Sequence, residues 1–369
     1  LWPADLMFFY PRWNLDVTAA AQWAFPAATL ALLGGLAWAA RHGRARGTLA
    51  AVLLFGGGLF PVLGFINVYP FVFSYVADHF QYLPSLSLFA LAGAGAAHLA
   101  RHDRLTVKRL APVVGAIGLV GLGALTWRHS QAYVSSIALY RATLERNPAS
   151  WVAHHNLAAE LTARGRAHDA LPHAQRAHEL KPDHPEVLNN LADNLTRTGQ
   201  PTAALPLVQR ALQLQPDYAP AENTLGITLL RLGRSDEGIG HLRRAIARQP
   251  ALAEAHYNLG LAESERGNFA AAIPHFAETV RLRPDHVGAE LNWGVALALD
   301  GRLADAQPHF RRALDLDPAS AAVRQTYGRV LLTAGQPAEA ARQFRDAQRL
   351  NPNLPGLQSD LAAALQQVR

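Results

Sequence analysis

Three sets of side chains in this sequence could do chemistry by their type and spacing. The first is a column of short polar residues, Asn156, Asn190, Thr224, Asn258, Asn292, Thr326 and Asp360, each 34 residues after the last. An asparagine amide offers a donor and an acceptor together, so a row of them can pair with an extended peptide backbone whatever its sequence. The second is the column His173, His241, His275 and His309, which share one position of the same period. Imidazoles in register could ligate a metal. Each one, however, follows Pro172, Gly240, Pro274 or Pro308 beside a helical core position, which favours half-exposed packing, and no metal site is expected. The third is Asp78-His79. This pair could contact a lipid phosphate or tune an acidic site, although histidine is only partly charged near neutral pH; a loop anchor bonded to backbone is the competing reading.

The columns require an array to hold them. Proline recurs at 148, 182, 216, 250, 284, 318 and 352, and glycine at 165, 199, 233, 267, 301 and 335, every interval being 34. Between them run two columns of small residues, Ala158, Ala192, Gly226, Gly260, Gly294, Gly328 and Ala362, and Ala170, Ala204, Gly238, Ala272, Ala306 and Ala340. A glycine that tolerates left-handed backbone ends a first helix. A proline stops a second one from continuing. The small columns let paired helices approach, and large residues such as Leu157, Trp293, Phe276 and Phe310 fill the remaining core. Six units of two helices are expected at 149–182, 183–216, 217–250, 251–284, 285–318 and 319–352. Residues 129–148 read as the second helix of an earlier unit, and 353–369 as a final helix capping the stack. Such solenoids bury a continuous core between neighbours.

At 100° per residue, the residue before each core leucine points away from the core. That places the Asn/Thr column on the hollow side of the stack, with Ile227, Leu261, Val295 and Leu299 beside it to receive the side chains of a bound segment. The alternatives are that the asparagines bond neighbouring repeats or water, and that the aliphatics are buried in a tight inner curve.

The formal net charge of +6 invites a nucleic-acid reading until it is located. Residues 1–148 hold 11 basic and 5 acidic side chains, and residues 149–369 hold 23 of each. A neutral repeat region lacks the electrostatic footprint that phosphate binding needs. Cysteine is absent, which excludes disulfides and thiolate metal sites.

Residues 1–128 carry apolar stretches at about 17–40, 48–66, 81–100 and 110–127. At roughly 1.5 Å per residue these lengths suit a hydrocarbon core of about 30 Å. Arg41, Arg44 and Arg46 in one loop, and Arg101, Arg104, Lys108 and Arg109 in another, fall two helices apart and would face the cytoplasm. The fold expected is therefore all-α, with multi-pass membrane helices (1–128) followed by a right-handed α-solenoid (129–369). The expected location is a bacterial inner membrane, in contact with membrane lipid, with the repeats outside the cytoplasm. Buried helices of a water-soluble protein are the alternative. The opening Leu1-Trp2-Pro3, without an initiator Met, reads as the start of a fragment.

The 34-residue columns of residues 129–369 resemble the tetratricopeptide repeat, whose solenoids hold peptides or proteins. The Asn/Thr column is similar to the asparagine ladder of O-linked N-acetylglucosamine transferase, broken here by Thr224, Thr326 and Asp360. The stretch Tyr75-Val76-Ala77-Asp78-His79-Phe80-Gln81-Tyr82-Leu83-Pro84-Ser85 resembles a signature of the transmembrane and tetratricopeptide repeat-containing family. That resemblance implies a C-type glycosyltransferase that moves mannose from a lipid-linked donor to Ser or Thr. Its catalytic carboxylate would precede Leu1, leaving Asp78 and His79 as accessory groups, with no cofactor in this fragment beyond the lipid-linked sugar donor. The functional expectation is a membrane-anchored partner- or acceptor-binding region of such an enzyme. The alternative is a non-enzymatic tethered scaffold for envelope assembly.

Overall fold

The computed structural model describes residues 20–43, 46–59 and 134–368, with seven isolated helical positions between 94 and 127. Sixteen helices and no strand occur among the described residues. They fall into two compact units, Leu1–Pro182 and Asp183–Arg369.

The first unit contains α1 (Ala20–Arg41), α2 (Arg46–Leu59), α3 (Ser136–Arg146), α4 (Trp151–Ala163) and α5 (Ala167–Leu180). Helices α1 and α2 pack together across a turn in which Gly43 takes φ +76°. The turn is held by His42 Nδ1 against the Trp38 carbonyl at 2.8 Å and by Arg46 Nε donating to the Ala40 carbonyl at 3.2 Å.

The expected membrane spans and integral-membrane location are corrected here. Among the described residues, no helix is long and apolar enough to cross a membrane. Helix α1 is described over 22 residues and α2 over 14. Most of the third and fourth expected spans, and Asp78 with His79, lie outside the described residues.

Helices α4 and α5 form the first complete repeat. The second unit holds five more, α6 (Pro185–Arg197) with α7 (Pro201–Leu214), α8 (Ala219–Arg231) with α9 (Ser235–Arg248), α10 (Ala253–Glu265) with α11 (Phe269–Leu282), α12 (Val287–Leu299) with α13 (Leu303–Leu316), and α14 (Ala321–Thr333) with α15 (Pro337–Leu350); α16 (Leu357–Val368) closes the array. The glycine column has its predicted conformation, φ lying between +72° and +84° from Gly165 to Gly335. The residue after each glycine donates its amide five residues back, as Arg166 does to Leu161 at 2.9 Å and Gln336 to Leu331 at 2.9 Å. This is the Schellman closure that satisfies the last carbonyls of a helix.

The small columns work as steric permissions. A Cβ built on Gly260 or Gly328 would meet the rings of Phe276 or Phe344 at 2.7 and 2.5 Å. Phe276, Phe310 and Phe344 are each fully buried, which contributes on the order of 2–3 kcal/mol apiece. Phe310 also stacks on Tyr327 of the next repeat at 4.6 Å, which carries the core from one repeat to the next.

Candidate functional site

The first helix of each repeat positions the predicted site residues. In the second unit, successive first helices α8, α10 and α12 pack side by side. Between α8 and α10 lies a small open cleft of about 100 Å³, lined by Ile227, Leu230, Arg231, Asn258, Leu261, Ala262 and Glu265. Two of the predicted aliphatics, Ile227 and Leu261, and one predicted asparagine thus share one site. Val295 is half-buried against the core around Leu297 and Phe310, and Leu299 remains 52% exposed one turn further on.

The polar column bonds within the stack more than its spacing suggested. Asn258 donates to Asn223 Oδ1 at 2.9 Å, Asn292 donates to Tyr257 Oη at 3.0 Å, and Asp360 accepts from Gln325 Nε2 at 2.7 Å. Each contact joins a column residue to the position 35 residues earlier, one repeat back. Asn190 instead accepts from Asn194 Nδ2 within its own helix at 2.8 Å. Thr224 is buried and donates to the Pro220 carbonyl at 3.1 Å. Asn156 and Thr326 are half-buried. Pairing to the previous repeat occupies one amide hydrogen each of Asn258 and Asn292, which leaves the rest of each amide as bonding capacity. Asn258 is the member of the column that lines the cleft.

Sequence reasoning missed Leu230, Arg231, Ala262 and Glu265. The signal was present, because positions three and four after Ile227, four after Asn258 and four after Leu261 neighbour them on the same helical stripe.

It also missed a clasp inside four of the six complete repeats. His154 Nδ1 meets His173 Nδ1 at 3.0 Å, His241 Nδ1 meets Glu222 Oε2 at 2.6 Å, His256 Nδ1 meets His275 Nδ1 at 3.3 Å, and His309 Nδ1 meets Glu290 Oε2 at 2.8 Å. The separation is 19 residues every time. The histidine column is therefore spent on partners in its own repeat, and among the described residues no group of three or more ligands could hold a metal. In the His–His clasps the chemistry fixes the tautomers. His154 Nε2 and His256 Nε2 lie 3.1 Å from the Pro148 and Pro250 carbonyls and must donate there. Their Nδ1 atoms are then acceptors for an Nδ1–H of His173 and His275. Burial holds His154 below the ordinary histidine range against the pull of the Pro148 carbonyl. Burial, reinforced by the facing His154 or His256, lowers His173 and His275 as well. In the fifth repeat Trp293 stacks on His309 at 3.8 Å, beside the Glu290 contact.

Comparison with known proteins places this geometry. Three models of the tetratricopeptide repeat match, at residues 150–217, at 223–287 with 262–321, and at 297–367. No curated protein matches the chain. Among solved structures, the anaphase-promoting-complex hetero-tetramer Cut9–Hcn1 is 15% identical with a TM-score of 0.53, over 79% of this chain and 64% of that one. PilW, a type IV pilus biogenesis factor, is 21% identical with a TM-score of 0.50, over 57% of this chain and 98% of its own. YrrB, described as a repeat protein with an unusual peptide-binding site, is 20% identical with a TM-score of 0.42, over 52% and 96%. At such identities the likeness is one of fold. None of these matches supports the glycosyltransferase resemblance, whose stretch 75–85 lies outside the described residues. The 34-residue period, the Schellman-closed helix pairs and the family matches agree: the chain is a tetratricopeptide-repeat protein.

Proposed function

We propose that the chain is a non-enzymatic protein-interaction scaffold that captures an extended polypeptide across α8, α10 and α12. The observation that carries this reading is the cleft, where an aliphatic wall of Ile227, Leu230 and Leu261 meets the amide of Asn258. Half-buried apolar side chains at the mouth of a cleft favour removal of a partner's apolar surface from water, and a nearby amide satisfies the backbone brought in with it. The test is binding of labelled peptides to the full chain and to a variant carrying Asn190→Ala, Asn258→Ala and Asn292→Ala. The variant is expected to keep its helical content by circular dichroism and to bind about tenfold more weakly, equivalent to about 1.4 kcal/mol. Unchanged affinity removes the polar column from the account.

A second reading treats the captured segment as the acceptor of a glycosyl transfer. It is carried by the stretch from Tyr75 to Ser85 alone. Since the catalytic carboxylate that the resemblance implies would precede Leu1, the test uses the product of the whole reading frame: transfer of sugar from a lipid-linked donor onto a captured Ser/Thr peptide would establish it, and capture without transfer leaves the scaffold.

A further inference from the structure

The inner stripe of the second unit changes character along its length. Positions equivalent to Ile227 and Arg231 are Asp193 and Arg197 on α6, Leu261 and Glu265 on α10, Val295 and Leu299 on α12, and Arg329 and Thr333 on α14. The charges at the two ends are consumed internally. Arg197 Nε donates to both carboxylate oxygens of Asp193 at 2.9 and 2.8 Å, and Arg329 Nε donates to Asp360 at 2.8 Å. Between them the stripe is aliphatic over three successive repeats. Only Arg231 and Glu265 add charge there; both are exposed, both line the cleft, and neither has an ion-pair partner among the described residues.

We propose that the occupant is a short extended segment with an aliphatic residue at its centre and one acidic and one basic residue beside it. This rests on the capture role assigned above. The aliphatic side chain enters between Ile227, Leu230 and Leu261. The partner's carboxylate meets Arg231, its ammonium or guanidinium meets Glu265, and its backbone amide uses the remaining capacity of Asn258. Two helix-to-helix steps of about 8–10 Å span the aliphatic stretch, which at about 3.3 Å per residue holds roughly six residues. A polyanionic or polycationic partner is disfavoured, because Glu265 repels the first, Arg231 repels the second, and the other charges of the stripe are already paired.

The experiment is selection from a phage-displayed library of random octapeptides on the immobilised full chain, on Arg231→Glu and on Glu265→Lys, with circular dichroism showing that both exposed-site variants retain the fold. The native chain is expected to enrich peptides holding an aliphatic residue with one acid and one base within three positions of it. Arg231→Glu replaces the acid with a second base, and Glu265→Lys replaces the base with a second acid. For a selected peptide, Leu261→Asn weakens binding by about tenfold. Enriched peptides without the aliphatic residue, or with charges indifferent to both substitutions, overturn this assignment and leave the capture role standing. If no form of the chain enriches any peptide, the assignment and the capture role fall together.

Discussion

Replacing Gly238 with alanine is expected to destabilise the third repeat, and replacing Gly240, two residues along the same helix, to stabilise it. Every other complete repeat has alanine at the position of Gly238, namely Ala170, Ala204, Ala272, Ala306 and Ala340. The third repeat differs because both facing positions are glycine, Gly226 and Gly238, so α8 and α9 approach backbone to backbone. A Cβ at 238 would lie 2.8 Å from the Gly226 carbonyl oxygen and 2.9 Å from Leu230 Cγ, whereas one at 240 meets nothing nearer than the Arg244 guanidinium at 3.8 Å. Each Gly→Ala change gains about 0.5–1 kcal/mol by reducing the entropy of the unfolded chain. At 238 the forced separation costs about 1–3 kcal/mol, because the first obstacle is backbone and cannot rotate away. The net expectation is a loss of about 1–2 kcal/mol for Gly238→Ala and a gain of about 0.5–1 kcal/mol for Gly240→Ala. A solenoid can unfold repeat by repeat, so the assay pairs urea titration with hydrogen exchange of α8 and α9. Leu230 also lines the cleft, so Gly238→Ala is expected to weaken peptide capture while Gly240→Ala leaves it intact. Equal or greater protection in Gly238→Ala than in Gly240→Ala would refute the close approach and the packing argument built on it.

Acid is expected to loosen the first and fourth repeats. The clasp histidines whose folded-state pKa is depressed, His154, His173 and His275, contribute stability that is complete above their ordinary value of about 6.5. That contribution is lost as pH falls through this value toward the depressed ones. His256→Leu with His275→Leu, copying the Leu188 and Leu207 that occupy the same positions in the second repeat, is expected to flatten the fall in urea midpoint between pH 7.5 and 5.5; a fall as steep as the native one would count against the clasp. Asp360→Ala removes the acceptor for both Gln325 and Arg329 and is expected to cost about 1 kcal/mol at this partly exposed site, read as faster hydrogen exchange confined to α16. Phe344→Ala empties the space above Gly328 and is expected to cost about 3–5 kcal/mol, with a matching drop in the thermal midpoint of the last repeats.

The parts of the fold visible in the sequence are those set by local rules. A glycine at φ +73° or +81° is demanded by the turn it occupies, and a small residue under a phenylalanine by the ring it faces, so both recur with the period. Contacts that form only when repeats stack left a weaker trace. Nothing in the spacing of Asn258 said that its amide would turn back to Asn223, because that pairing depends on how one first helix leans on the next. The apolar runs before residue 128 suggested spans by composition, but among the described residues no helix is long and apolar enough to cross a membrane.

A repeat chain carries its own alignment, and its columns separate three kinds of constraint. Columns that keep one residue type, such as Gly165 to Gly335, answer to backbone geometry. Columns that vary in step answer to each other. The positions 19 residues apart read His154 with His173, Leu188 with Leu207, Glu222 with His241, His256 with His275 and Glu290 with His309. Polar residues meet polar ones and apolar meet apolar, as a direct contact requires. In the sixth repeat the equivalents Arg324 and Gln343 each retain a buried polar atom, Nε and Oε1, without a partner among the described residues, so the polar match persists where the bond does not. The inner stripe behaves in a third way. Arg231 and Glu265 are exposed on the cleft and have no ion-pair partner among the described residues, although the end positions on the same stripe are ion-paired. Opposite charges left unpaired at one cleft, while their equivalents in the neighbouring repeats are paired, are the pattern expected where the complementary residues belong to another molecule.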